Sequence, residues 1–313
     1  MKNILVTGGA GYLGSLLCKD LLNLGYKITI IDKFKFGINP ILHLIDKKNL
    51  TILNGDIRDT SNHHLITKAD IVINLAAIVG YPACDEDKWE ATSVNVDAVK
   101  QMAKILSPNQ LFIQPSTGSS YGKVKDICTE ETPINPLTLY GSNKAEAEKY
   151  ILDKNAISLR FATVYGASPR MRLDLFVNQI VMSAIQEKYY VLYEANASRT
   201  FLHAKDATAS IIFAIDNQKK MLNECFNIGD NEQNFTKLEV ANLVKKYIDF
   251  DIIRNEFASD KDQRDYAVSY DKITKLGYKT HYTMQEGILE LIKVSSILKE
   301  KSIFRNLHQA TEN

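Results

Sequence analysis

The sequence predicts an α/β protein built on a doubly wound parallel sheet, followed by a smaller α/β lobe. Three observations carry that expectation. Up to about residue 165, short apolar runs alternate with stretches of helical period. The runs are continuous and β-branched, as in strands covered on both faces. Strand–helix alternation at this spacing is that of crossover units, which build parallel sheets.

Six such runs fall at residues 4–6, 28–31, 51–53, 71–75, 111–113 and 158–164. Between the first two, Leu13, Leu17, Leu21 and Leu24 recur on one helical face, and Gly25 stands where a C-terminal cap belongs. Beyond residue 166 the pattern is mixed: a helix near 173–186, a strand-rich section at 190–203, a helix at 207–216, a strand at 226–228 and further helices. No Gly/Ser- or Pro-rich linker divides the chain. The expected organisation is therefore a first domain over residues 1–165 and a second lobe over 166–313, packed around a cleft, with some later segments returning to the first.

Composition narrows the function classes. Of 313 residues, 45% are hydrophobic and 24% charged, which is ordinary for a soluble globular chain. The formal net charge of +1 gives no electrostatic reason to expect nucleic acid or an anionic membrane as a partner. No apolar run has the length of a transmembrane helix, and the N-terminal run is too short for a signal segment. Cys18, Cys84, Cys128 and Cys225 form no CxxC pair, and the six histidines add no ligand-spaced cluster. Neither a metal site nor a disulfide framework is expected, and reduced thiols fit a cytoplasmic protein.

Thr7-Gly8-Gly9-Ala10-Gly11-Tyr12-Leu13-Gly14 places glycines at GxxGxxG spacing, directly after a predicted strand and at the start of a predicted helix. Gly8 permits the tight turn, Gly11 admits a pyrophosphate against the backbone at the helix N-terminus, and Gly14 allows close packing of helix on sheet. Asp32 ends the second strand. A carboxylate there accepts the adenosine ribose hydroxyls and repels a phosphate on that ribose, favouring NAD over NADP; a turn or capping aspartate is the other reading. Lys33 beside it argues against that preference. Asp56 suits the adenine amino group or an Asx turn in Asn54-Gly55-Asp56.

Tyr140 and Lys144 stand four residues apart, on one face of a helix. A phenol ionises near pH ~10, too high for a base at neutral pH, and a neighbouring ammonium lowers that value. Most isolated Tyr-x-x-x-Lys pairs belong to surfaces or packing. Here Gln114-Pro-Ser-Thr-Gly-Ser-Ser-Tyr-Gly122 follows the fifth strand, and Thr117 lies just past its C-terminal end, where open α/β sheets hold ligand groups.

The motifs occur in a fixed order: the glycine turn, Asp56-Ile57, Asn74-Leu-Ala-Ala77, Ser116-Thr117-Gly-Ser-Ser-Tyr121-Gly122, Tyr140-Gly-Ser-Asn-Lys144 and Leu159-Arg-Phe-Ala-Thr-Val-Tyr-Gly166. Together they resemble the extended short-chain dehydrogenase/reductases, the nucleotide-sugar epimerases and dehydratases, over nearly the whole chain. That resemblance implies a Rossmann-type sheet, NAD as cofactor and a nucleotide-diphosphate sugar as substrate. It makes Tyr140 the acid/base on a sugar hydroxyl, Lys144 the residue that tunes it and binds nicotinamide ribose, and Thr117 the residue that positions the substrate oxygen. Gly8, Gly11, Tyr12, Leu13, Gly14, Asp32, Asp56, Ile57, Leu75, Ala76, Ala77 and Asn95 fall where this family lines its cofactor. Ser119, Thr163, Asn178, Arg199 and Arg264 fall on the substrate side, the two arginines as grips on the diphosphate; a surface ion pair is the other reading for each. His203 and Asp206 match a motif read as structural. A homodimer or higher homo-oligomer, formed through helices such as the one near 94–106, is also implied.

Two departures from the family pattern bear on the reaction. Thr117-Gly118-Ser119 replaces the Thr-Asp-Glu of dehydratases, which opposes elimination of water. Thr163 replaces the family's common asparagine. Simple oxidation, or oxidation followed by re-reduction, remains. A narrower resemblance rests on Ala76-Ala-Ile-Val-Gly-Tyr-Pro-Ala-Cys84 and Ala167-Ser-Pro-Arg-Met-Arg-Leu-Asp174. It points to enzymes that oxidise C4 of GDP-manno-heptose in bacterial capsule biosynthesis, with a 4-epimerase and a non-catalytic NAD-binding protein as alternatives.

Overall fold

The computed structural model describes residues 1–255 and 265–298. Its strands are β1 (Asn3–Thr7), β2 (Lys27–Asp32), β3 (Leu50–Asn54), β4 (Ile71–Asn74), β5 (Leu111–Thr117), β6 (Ala156–Phe161), β7 (Thr163–Tyr165), β8 (Tyr189–Tyr193), β9 (Ser198–His203), β10 (Glu224–Ile228), β11 (Asn234–Thr236) and β12 (Asp251–Asn255). The α-helices are α1 (Gly14–Asn23), α2 (His63–Lys68), α3 (Tyr81–Glu86), α4 (Lys88–Thr92), α5 (Ala98–Ile105), α6 (Leu139–Ile151), α7 (Phe176–Gln186), α8 (Ala204–Asp216), α9 (Gln218–Met221), α10 (Lys237–Lys245), α11 (Asp271–Lys275) and α12 (Met284–Ser295).

Seven strands, all parallel, form the central sheet in the order β3-β2-β1-β4-β5-β6-β10. The chain winds outward from β1 in both directions, and this reversal opens a crevice beyond the C-terminal ends of β1 and β4. Strand alternation sorts the apolar side chains onto two faces. Ile4, Val6, Ile71, Ile73 and Ile113 pack against Leu17 and Leu21 of α1 and Ala207, Ile211 and Ala214 of α8. Leu5, Val72 and Phe112 pack against Val99 and Met102 of α5 and Ala147 and Ile151 of α6. Each fully buried aliphatic side chain contributes about 1.5–3 kcal/mol relative to exposure.

The second lobe has its own core, where Val177, Ile180 and Val181 of α7 meet Val240 and Val244 of α10 and Ile288 and Leu291 of α12. Around it lie a three-stranded sheet, β11-β9-β7, and a parallel pair, β12-β8. β10 lies beside β6 in the central sheet, and α8 covers the face of that sheet that α1 also covers.

Three local expectations are revised. The run at 158–164 is two strands, because the chain changes sheets: Ala162 N still donates to Ile228 O (3.0 Å), whereas Val164 pairs with Leu202. The helix expected from 173 starts at Phe176, since Leu175 is extended (ψ 138°). Leu24 is 59% exposed just past the last turn of α1, and Cys18 and Leu22 complete the buried face instead. Gly25 caps that helix with φ +87°.

Candidate active site

The glycine turn joins β1 to α1 at the crevice. Gly8 N donates to Ile31 O (2.9 Å) and Gly11 N to Gly8 O (3.1 Å). Gly8 has φ +68°, and a Cβ there would stand 2.7 Å from Ala76 N; one on Gly14 would stand 2.3 Å from Gly8 O. The glycines thus form a bare backbone cradle at a helix N-terminus whose first turn holds no acidic residue. Its positive partial charge faces an incoming anion unopposed by a carboxylate on that turn, which fits a dinucleotide pyrophosphate.

Asp32 closes one side of this cradle. Its Oδ2 accepts from Ala10 N (3.0 Å) and its Oδ1 from Phe34 N (2.8 Å). Burial raises its carboxyl above the usual value, and these two bonds pull it back. Lys33 points elsewhere, to Asp56 (3.0 Å) and Glu90 (3.7 Å). Asp56 forms the Asx turn, accepting from Arg58 N (2.9 Å), and receives the Arg58 guanidinium at 2.6 Å. That guanidinium holds the Asp56 carboxyl well below the usual carboxylate range.

One cleft of about 1010 Å³ takes in Gly8, Gly11, Tyr12, Leu13, Gly14, Asp32, Asp56, Ile57, Leu75, Ala76, Ala77, Thr117, Ser119, Tyr140, Lys144 and Thr163. That volume is at the upper end for ligand pockets, ~300–1,000 Å³. Thr117 ends β5; its Oγ1 donates to Ser119 Oγ (2.9 Å) and accepts from Ser119 N (3.1 Å). Thr138 caps α6, accepting from Gly141 N (3.2 Å), so Tyr140 lies in the first turn and Lys144 one turn on. Lys144 is 4% exposed, and its Nζ donates to Pro115 O (2.8 Å). Burial pulls its ammonium down to about 8.

Of the other singled-out residues, Asn95, Asn178, Arg199, His203 and Asp206 lie off the cleft. Asn95 sits in a wide, π-type turn at Ser93–Asp97 and brackets the backbone of Ile78, accepting from its N and donating to its O, both at 2.9 Å. Asn178 is fully buried, accepting from Gly166 N (3.0 Å) and donating to Arg172 O (2.8 Å). Arg199 is 5% exposed, with Nη1 on Ser198 O (3.1 Å). Arg264 lies outside the described residues. His203 meets Glu290 (2.8 Å), and Asp206 accepts from His281 N (2.9 Å) and Tyr282 N (3.0 Å); these contacts tie the second lobe together.

Among the cleft cations, Arg170, Arg172 and Lys237 had no individual assignment from the sequence. The Arg170 guanidinium stacks 4.0 Å over the Phe36 ring, and burial with Arg172 beside it draws it down to about 10. Arg172 forks onto Asp174 (2.6 and 3.2 Å). Lys237 opens α10 and donates to Tyr193 O (3.3 Å). The paired arginines in Arg170-Met-Arg172 were visible; only the fold shows that both reach the cleft.

The model of the NAD dependent epimerase/dehydratase family matches residues 4–229. An uncharacterised UDP-glucose epimerase, YtcB, of Bacillus subtilis is 27% identical over 77% of this chain and 81% of its own. A putative UDP-glucose 4-epimerase of Methanocaldococcus jannaschii is 27% identical over 92% and 97%. The UDP-glucuronic acid 4-epimerase from Bacillus cereus, in complex with NAD, superposes with a TM-score of 0.83 at 24% identity, covering 96% of this chain and 98% of that one, a likeness of fold. The chain belongs to the NAD dependent epimerase/dehydratase family and is an NAD-dependent enzyme.

Proposed function

We propose that this enzyme oxidises the C4 hydroxyl of a nucleotide-diphosphate sugar to a 4-keto sugar, and that its substrate is GDP-manno-heptose destined for a bacterial surface polysaccharide. The supporting observation is that Thr117, Tyr140 and a buried Lys144 share a single large cleft with the glycine turn. Bound NAD supplies the hydride acceptor. Thr117 Oγ1 is proposed to hydrogen-bond the reacting hydroxyl. Tyr140, as phenolate, takes the hydroxyl proton while the hydride leaves the same carbon, giving a ketone. Lys144, fixed on Pro115 O, favours the phenolate electrostatically. Positions 118 and 119 are Gly and Ser, so no carboxylate stands there to drive elimination. The heptose is suggested by the segments 76–84 and 167–174, parts of which line the cleft. Arg199 and Arg264 are proposed as grips on the substrate diphosphate. The same reading expects a homo-oligomer through the helix near 94–106, which contains α5; light scattering checks it.

A second reading, a 4-epimerase, is favoured by the two epimerase relatives. The two share the first half-reaction and differ in whether the keto sugar is re-reduced. Stoichiometric enzyme mixed with a nucleotide-sugar panel separates them through the near-ultraviolet absorbance of reduced nicotinamide. A lasting rise with GDP-manno-heptose, lost in Tyr140→Phe, is expected. A flat trace with an isomer on chromatography establishes the epimerase, and a flat trace with no product from any sugar overturns both.

A further inference from the structure

Alternation along β5 sends Phe112, Gln114 and Ser116 to the sheet face covered by α5 and α6. A row of buried polar side chains follows the C-terminal edge of that face. Thr7 Oγ1 donates to Asn74 Oδ1 (2.7 Å), Asn74 Nδ2 to Gln114 Oε1 (2.9 Å), and Gln114 Nε2 to Pro115 O (3.0 Å), the carbonyl that also receives Lys144. Thr7 Oγ1 in turn accepts from Ala76 N (3.1 Å). Ser116 is the next member of the row. It is 3% exposed and lines the cleft, yet among the described residues nothing hydrogen-bonds its Oγ. A buried hydroxyl without a partner is destabilising, and an alanine would fill the same place without that cost. Its neighbours in the row are all satisfied within the protein, so Ser116 stands out as the member that serves a ligand.

Given the proposed role of Lys144 at the nicotinamide ribose, the sheet face narrows the choice of ligand. Thr117, the adjacent residue, has extended dihedrals and points to the opposite face. Ser116 instead shares the cleft wall with Leu75, Ala76 and Lys144, on the side from which α6 approaches. We propose that Ser116 Oγ is a hydrogen-bonding contact for the nicotinamide-riboside half of NAD, in addition to Lys144.

The test uses the full chain stripped of cofactor, with NADH binding followed by fluorescence titration and thermal unfolding followed in parallel. In Ser116→Ala the NADH Kd should rise about five- to tenfold, the loss of one hydrogen bond. The Kd for ADP, which lacks the nicotinamide riboside, should not change. The melting temperature of the stripped protein should hold or rise, because a buried unpaired hydroxyl is removed. Ser116→Cys, which keeps the volume and a weak donor, should give an intermediate NADH Kd. An unchanged NADH Kd overturns the proposal, as does equal weakening of ADP. A fall in the melting temperature of the stripped protein would assign Ser116 a structural role instead.

Discussion

Lys144 combines two opposed requirements in one side chain. In its proposed role it must be cationic to favour a phenolate on Tyr140, and it is buried, which penalises the cation. Its ammonium falls from 10.5 to about 8 in the folded chain. The unfolded chain therefore holds this proton up to about pH 10.5 and the folded chain without cofactor only to about 8. Between those values the unfolded state binds more protons, so this group makes stability rise with pH across that window. Below pH 8 the burial cost is present in full, and above 10.5 it is gone. Lys144→Met should stabilise the cofactor-free protein at pH 7 by on the order of 3 kcal/mol, at about 1.4 kcal/mol per pH unit. Urea unfolding at a series of pH values should show that advantage shrinking between pH 8 and 10.5; a difference independent of pH would mean the ammonium is not the cause. That Tyr140 and Lys144 share α6 and line one cleft was legible from helical spacing together with the motifs around it. The Pro115 carbonyl that anchors the lysine was not, because it depends on how far α6 lies from β5. Asn178, by contrast, was read toward a ligand and is placed under the 166–172 segment, where its amide satisfies backbone groups.

At the scale of elements, the glycine turn shows why local pattern was so readable in the first lobe. Each glycine there answers a contact of one or two short segments, so spacing and geometry coincide. Gly14→Ala would drive a methyl to 2.3 Å from Gly8 O and 2.7 Å from Gly9 Cα, both backbone atoms that cannot rotate away. The expected outcome is a loss of NADH affinity greater than about tenfold with destabilisation of about 1–3 kcal/mol, as for overpacking. Gly25→Ala meets no atom within 4 Å and strains only the left-handed backbone at φ +87°, costing about 1–2 kcal/mol with NADH affinity intact. Titration and denaturation of the two variants side by side check the contrast. If both lose cofactor equally, the cradle has no special role in binding. The strands through residue 113 were legible because covered parallel strands read as continuous apolar runs. The run at 158–164 reads the same way throughout, although β6 and β7 belong to different sheets: apolar periodicity records burial, not which layer does the burying. The turn at Ser93–Asp97 has no such signature, and its widened geometry is what brings Asn95 to the backbone of Ile78.

At the scale of the molecule, the change of pattern near residue 166 was legible in the sequence, whereas contacts between residues about 150 apart were not. Tyr12 OH donates to Gly166 O (2.7 Å), Ser168 Oγ donates to Tyr12 O (2.6 Å) and meets Ser15 Oγ (3.2 Å), and Arg170 stacks on Phe36. The 166–172 segment is thus seated beside the glycine turn, the proposed seat of the cofactor pyrophosphate. If a dinucleotide bound there orders the turn, it orders the segment with it, and a second ligand then meets a wall already in place. Cofactor and nucleoside diphosphate should then bind with positive coupling, typically five- to 150-fold. Calorimetric titration of GDP and UDP into stripped and NAD-loaded protein measures it directly. Removing the two hydroxyl ties with Tyr12→Phe and Ser168→Ala should bring the two affinities together, while each ligand still binds alone because neither substitution changes the size of the cleft wall by more than an oxygen. Coupling that survives the double variant would place the linkage in direct contact between the two ligands rather than in the 166–172 segment.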